Sequence, residues 1–379
     1  MEGASQRCVL TGLDRVVASG GAPFRGQRVG LLVNQASVDA ALVHAVDRFQ
    51  AFRGDVRLVA LFGPEHGVFG DAQDMEAVTD ARDVRTGIAL HSLYGATEVT
   101  LRPRPEALRG LDVVVCDLPD IGCRHYTFAA TAAIMLEVCV ATGVRFVVLD
   151  RPNPLGGVAV EGPLVDIRFR TFMNYLNVPI RHGRTLGELM AAHDARAEVI
   201  ACEGWLRDAD FDETGLPWVT PSPNLPTLDA AFVYPGACFI EATNLSEGRG
   251  TTRPFELIGA PFLDPWRFAE ALAALELPGV FFRPTFFVPR FHKWAGQRCG
   301  AIQLHVTNRA TFRPVLTGVA LLVVARAQGG AAFAWRTEPY EFAPHIHALD
   351  QLAGSDALRL AVEAGQSPRD IAATWPQEA

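Results

Sequence analysis

The sequence predicts an α/β protein with an open, Rossmann-like, mostly parallel sheet, followed by a second, smaller α+β C-terminal domain. Two observations carry this. Short, unbroken apolar runs alternate with helical patterns over the first two thirds of the chain, and that alternation breaks down after about Phe255. A strand covered on both faces reads as a continuous apolar run, and helices between such strands make their pairing parallel. The length of 379 residues suits two domains. They are expected over 1–255, carrying the strand-end loops, and over 256–379, closing the cleft.

Taken in order, Arg28–Val33 reads as the first strand. A helix is expected from Asp39 to Phe52, because Leu42, Val43, Val46 and Phe49 fall on one face. Arg57–Phe62 and Leu111–Asp117 are the next strands, then a helix over Phe128–Ala141 and the strand Arg145–Asp150. Thr185 and Glu188 form a capping box for a helix over Leu186–His193. Glu198–Cys202 and Ala237–Thr243 read as further strands. Beyond Phe255 the pattern gives a helix near Trp266–Leu275, strands at Val280–Val288 and Ala301–Thr307, and helices near Phe312–Arg326 and Ser355–Ala364.

Composition narrows the function classes. The formal net charge is −8 with no basic run, which argues against nucleic acid or an anionic membrane surface as a partner. Lys293 is the only lysine among 34 basic residues, so an arginine here is weak evidence for a specific anion site. The seven cysteines form no CxxC pair and read as reduced, buried thiols. Met1–Leu10 shows no leader pattern, so the chain as it stands is expected in the cytoplasm, or outside it if a leader is missing. The uncharged run Val315–Ala325 is far short of a membrane span.

The polar residues cluster where strands end. Asn34-Gln35 follows the first strand, Gly63-Pro64-Glu65-His66-Gly67 the second, and Asp117 to Asp120 the third, with Arg124, His125 and Tyr126 just beyond. Asp150 to Pro154, including Asn153, follows the fourth, and Glu241 to Asn244 the late one. Ligands of open α/β sheets bind outside the carboxyl ends of the strands. Turn chemistry explains the prolines and glycines there, but it explains Glu65, His66, Arg124 and Tyr126 poorly.

Several chemistries are excluded. The first strand leads into Asn34-Gln35-Ala36-Ser37 and not GxGxxG, and there is no P-loop, GxSxG or HExxH. His345-Ile346-His347 is the only close histidine pair and lies in a Pro-flanked loop. No cofactor and no metal are expected. Carboxylates remain. Glu65, on a tight turn after a buried strand, is placed to be a general acid, and Asp120, Glu241 or Glu247 is expected across the pocket. Two carboxylates about a glycosidic bond are the usual requirement for glycoside hydrolysis. Turn capping is an equal reading of Asp117 and Asp120. Asn244 to Phe255 is a polar, Gly-interrupted loop in which Glu247 and Arg249 bind a ligand or form a structural ion pair. Pro221 to Pro226 is a stiff, extended segment, expected either to present Asn224 as a binding amide or to serve rigidity alone.

Six motifs, GPEHG (63–67), DLPDIGCRHYTF (117–128), VLDRPNPLGG (148–157), HGRTLGEL (182–189), GLPWVTPSPNLPT (215–227) and NLSEGRGTTRPFE (244–256), together resemble the exo-β-N-acetylmuramidase family. The resemblance runs from about Gly12 to Trp375. It implies a Rossmann-like domain plus a smaller C-terminal one, and release of N-acetylmuramic acid (MurNAc) from the non-reducing end of peptidoglycan fragments. It also implies Glu65 as the catalytic residue. On that reading His66, Asp120 and Tyr126 complete the catalytic group, and Asn34, Arg124, Asn153, Asn224, Glu241, Asn244, Glu247 and Arg249 contact the sugar. Arg124 or Arg249 would meet the lactyl carboxylate. The second catalytic group is Asp120, Glu247 or the substrate's own acetamido oxygen. The rival expectations are an exo-glycosidase for N-acetylglucosamine (GlcNAc) and a non-catalytic muropeptide-binding protein. The expected partner is a carbohydrate, with no nucleic acid and no membrane span.

Overall fold

The computed structural model describes residues 9–52 and 54–376. Cys8, and all but the last two residues of the stretch read for a leader, lie outside them. The chain forms two compact units. One comprises Met1–Gly122, Tyr126–Val158 and Gly183–Pro223, the other Cys123–His125, Ala159–His182 and Asn224–Ala379. The final crossing therefore falls at Pro223, well ahead of the expected residue 255, and two earlier segments already belong to the second unit.

The first unit holds a seven-stranded sheet of β1 (Arg28–Leu32), β2 (Arg57–Gly63), β3 (Ala81–Arg82), β4 (Ala89–Ser92), β5 (Val113–Cys116), β6 (Arg145–Leu149) and β7 (Glu198–Ile200). Their order is β3-β4-β2-β1-β5-β6-β7. All neighbours pair in parallel except β3, which runs antiparallel to β4 at the edge. Every residue of β5 is buried, as its unbroken VVVC run requires. The helices of this unit are α1 (Gly12–Ala18), α2 (Ala45–Ala51), α3 (Phe128–Thr142) and α4 (Leu186–His193). The α4 cap is the expected Thr185–Glu188 box.

The helix expected from Asp39 is shorter. Asp39 Oδ1 accepts from the N–H groups of Ala41 and Val43 at 3.0 and 2.9 Å, and Leu42 sits at φ 62° with its side chain exposed. An aspartate side chain that captures nearby backbone donors competes with the helix, so α2 begins only after His44, whose Nδ1 accepts from Val46 N–H.

The second unit contains α5 (Leu228–Ala237), β8 (Leu257–Ala260), α6 (Pro265–Ala273), β9 (Val280–Phe287), β10 (Cys299–Val306), α7 (Pro314–Gly329) and the short helices α8 (Ala348–Ala353), α9 (Ala357–Glu363) and α10 (Pro368–Ala372). Its three strands form an antiparallel sheet in the order β8-β10-β9. The strand expected at Ala237–Thr243 does not exist: the segment is the end of α5 and a 3-10 turn over Cys238–Ala242. A segment buried all round carries no period to tell strand from helix. The cluster Glu241 to Asn244 is therefore no strand end.

Among the described residues, one helix, α7 with its following turn (Pro314–Ala332), is long and apolar enough to cross a membrane, and half of it is buried inside the protein. It packs with α5 through Gly236 and Gly318, where a Cβ on either residue would overlap the other helix's backbone. Glu161 accepts from the N–H groups of Leu316 and Val315 at the start of α7. Gly236→Ala is expected to cost about 1–3 kcal/mol through overpacking. A lowered unfolding midpoint would show it, and an unchanged midpoint would mean that the helices separate without penalty.

Candidate active site at the carboxyl edge of the sheet

From β1 the chain builds outward through β2 to β4, then returns to pair β5 on the other side of β1 and continues to β6 and β7. The direction of winding therefore reverses between β1 and β5, and ligands of open α/β sheets bind at the carboxyl side of such a point. Glu65 leaves β2 on this edge in a turn closed by Gly67 N–H to Pro64 O at 2.9 Å. His66, at φ 68°, is in the left-handed region. Such a backbone costs a non-glycine residue about 1–3 kcal/mol and is retained where the surroundings enforce it.

Glu65 is buried, with 6% of its surface exposed. Its Oε2 accepts from Thr127 Oγ1 at 2.7 Å. Thr127 occupies the N-cap position of α3, where a threonine hydroxyl ordinarily takes a backbone N–H of the first turn. It makes no such cap. Its hydroxyl is given to the glutamate instead.

The groups around Glu65 are also fixed. His66 Nδ1 lies 2.9 Å from Ala72 O. A carbonyl only accepts, so Nδ1 carries a proton and Nε2 is the ring nitrogen left to face other groups. The phenol of Tyr126 is pushed well above its ordinary value, first by burial and then by the negative fields of Asp120 and Glu65. It is a neutral O–H, suited to donate and not to take a proton. Asp120 Oδ2 accepts from Gly122 N–H at 2.7 Å, so Asp120 builds its turn as well as bearing on Tyr126. Asp117 is held by Arg151 in a two-pronged pair at 2.7 and 2.8 Å.

The two asparagines of this edge shape loops. Asn34 donates to Pro221 O at 2.8 Å and accepts from Ala36 N–H at 3.0 Å. Asn153 donates to Arg184 O at 3.0 Å and accepts from Leu155 N–H at 2.9 Å. Both amides are engaged at each end.

The remaining expected contact residues belong to the second unit. The Arg124 guanidinium donates to the carbonyls of Pro163, Val178, Leu352 and Ala353. Arg249 pairs with Glu241 at 2.7 Å and with Glu247 at 3.3 Å. Neither arginine presents a fork for a lactyl carboxylate, because each is spent on the fold. Glu247 is fully buried and also meets His292 at 3.1 Å and Lys293 at 3.0 Å. The structural ion pair is thus the reading of Glu247 and Arg249 that the geometry favours. Glu241 also accepts from the Tyr340 hydroxyl at 2.6 Å. Asn244 donates to Ala332 O at 2.8 Å and accepts from Ala334 N–H at 3.0 Å. Asn224 is buried. Of the paired histidines, His347 caps α8 by accepting from Leu349 N–H at 3.1 Å. The six described cysteines are free thiols, five of them buried.

Sequence reasoning passed over Thr127. The signal was a threonine one residue ahead of a long helix, in a motif dense with more reactive side chains. Thr127 is placed to orient the Glu65 carboxyl: Thr127→Val is expected to lower kcat about tenfold with KM unchanged, and Thr127→Ser to restore it. A uniform change in KM would point to a role in binding.

Fold and edge define an open α/β protein with a buried, oriented carboxyl group at the carboxyl edge of its sheet. Residues 29–229 match the family model described as exo-beta-N-acetylmuramidase NamZ, N-terminal, and residues 232–379 match NamZ, C-terminal. The chain belongs to this family. It is 41% identical over 369 residues to the peptidoglycan beta-N-acetylmuramidase NamZ of Bacillus subtilis (strain 168), covering 96% of this chain and 86% of that protein. A crystal structure of a DUF1343 family protein from Bacteroides fragilis NCTC 9343 superposes with a TM-score of 0.85 at 29% identity, covering 98% of this chain and 99% of that one. A second DUF1343 protein from the same organism, at 24% identity and a TM-score of 0.72 over 97% and 94% of the chains, shares the fold.

Proposed function

We propose that this protein is an exo-acting glycoside hydrolase that releases β-1,4-linked MurNAc from the non-reducing end of peptidoglycan fragments, with Glu65 as general acid. Family membership along nearly the whole chain supports the reaction class. The observation that carries the assignment of Glu65 is its burial at the carboxyl end of β2, with Thr127 holding one carboxyl oxygen. In this mechanism Glu65 protonates the departing glycosidic oxygen as oxocarbenium character grows at the anomeric carbon. The neutral Tyr126 phenol donates to the sugar or to the developing charge. His66 has Nε2 left to face other groups.

For the second group, Asp120 is favoured over Glu247. Asp120 shares an electrostatic environment with Tyr126 and through it with Glu65. Glu247 is neutralised by three basic side chains. Attack by the substrate's acetamido oxygen serves equally with Glu65 alone.

The test is release of free MurNAc from the β-1,4 MurNAc–GlcNAc disaccharide, with a chromogenic β-GlcNAc glycoside as control. Turnover of the first and not the second is expected. Cleavage of the control at a similar rate would make the enzyme a GlcNAc exo-glycosidase. Tight binding of the disaccharide without turnover would make the protein a muropeptide-binding protein.

A further inference from the structure

The second unit holds a cavity of about 580 Å³ within its own residues, lined in part by Trp294, Trp335, Asn244, Arg336 and Glu338. None of the chemistry above uses it. We infer that this cavity is an accessory glycan-binding site that holds a peptidoglycan sugar chain against the two tryptophans.

Trp294 Nε1–H donates to Asn244 O at 2.5 Å, and Trp335 Nε1–H donates to Glu363 Oε1 at 2.9 Å. With both ring donors turned to protein acceptors, what the half-buried indoles can add to the cavity lining is ring surface, beyond their edge-to-face packing with Phe262 (Trp294) and with Phe333 and His347 (Trp335). Apolar ring surface beside polar groups suits a pyranose, which has a C–H face and a hydroxylated rim. Recognition sites of this kind combine mainly apolar walls with a few placed polar groups, and tryptophan supplies large, rigid contact area.

The walls carry both signs of charge, Arg336 and Glu338, so neither a polyanion nor a polycation is selected. The Lys293 ammonium, though it lines the cavity, is spent on Ile240 O, Leu245 O and the Glu247 carboxylate at 3.0 Å each. A hydroxylated sugar chain whose only charges are single, spaced lactyl carboxylates fits this balance better than a stem peptide carrying several charges.

His292 and Trp294 are both left-handed, at φ 68° and 59°. Two such non-glycine residues around Lys293 mean that the surrounding contacts enforce an unfavourable backbone, which is characteristic of binding sites. Asn244 helps to enforce it. Its carbonyl takes the Trp294 N–H, while its amide side chain pins Ala332 and Ala334, just before Trp335. The residue expected to touch substrate thus builds the wall between the tryptophans.

The choice of a peptidoglycan glycan rests on the proposed function, and the experiment separates the two. The probe is a peptide-free GlcNAc–MurNAc tetrasaccharide with GlcNAc at its non-reducing end, which an exo-muramidase cannot trim. Its Kd would be measured on the full chain by calorimetry for wild type, Trp294→Ala, Trp335→Ala and the two phenylalanine variants. Each alanine variant is expected to bind at least tenfold more weakly, and each phenylalanine variant within threefold of wild type. Release of MurNAc from the disaccharide should stay within twofold throughout. Unchanged Kd values in both alanine variants, failure of phenylalanine to rescue, or binding that appears only when stem peptide is attached would each overturn the inference. Absence of disaccharide hydrolysis by wild type would defeat the proposed function instead, and the binding comparison would still be decisive for this cavity.

Discussion

Glu65→Gln is expected to lower kcat/KM for MurNAc–GlcNAc by about 10²–10⁴, the contribution typical of a positioned general acid. Glutamine keeps the length of the side chain, and its amide oxygen can still accept from Thr127 Oγ1, which lies 2.7 Å from Glu65 Oε2 in the wild type. The turn closed by Gly67 N–H and Pro64 O does not involve the carboxyl and is retained. What is lost is the proton. The decisive comparison uses a MurNAc glycoside with a nitrophenolate leaving group, which departs without protonation. Glu65→Gln is expected to spare much of the rate on that substrate while nearly abolishing it on the disaccharide. Equal losses on both would mean that Glu65 attacks or stabilises the anomeric carbon, and the roles of Glu65 and Asp120 would have to be exchanged.

The parts of the fold legible in the sequence were those whose burial is one-sided or repetitive. The strands β1, β2, β5 and β6 stand where apolar runs end in polar clusters, because a buried parallel strand has nowhere to place a polar residue until it reaches its edge. The same physics concealed β3, which has two exposed residues, and β4, whose ALHS sequence is mostly half-buried and carries His91 and Ser92 in place of an apolar run. It also misassigned Ala237–Thr243, whose helical residues are as thoroughly buried as a strand's.

The candidate site was legible by the same logic. Glu65, His66, Asp120 and Tyr126 gather in the first unit because they follow strands that end at one edge or, for Tyr126, precede the helix that leaves it. Arg124 stands two residues before Tyr126, yet its guanidinium belongs to the second unit's backbone. Sequence distance cannot show which unit a side chain enters. Nor could the motif NLSEGRG reveal that its charged residues neutralise one another, since His292 and Lys293 lie more than forty positions further on.

That buried charge cluster gives the second large effect. Burial works to raise the Glu247 carboxyl, but Lys293, His292 and Arg249 together hold it well below its ordinary 4.5. Glu247→Gln leaves Lys293 facing no carboxylate, and deleting one partner of a buried pair costs about 3–5 kcal/mol. A loss of that size is expected in the denaturant midpoint at pH 7. The pH dependence then identifies the cause. A carboxyl whose folded value lies below its unfolded one binds fewer protons when folded, so its stabilisation is present in full above about 4.5 and is withdrawn as pH falls through the folded value. Wild type should therefore lose stability between pH 5 and pH 3 faster than Glu247→Gln, and the two unfolding curves should converge on the acid side. Parallel curves over that range would show that Glu247 acts through shape and hydrogen bonding and not through its charge.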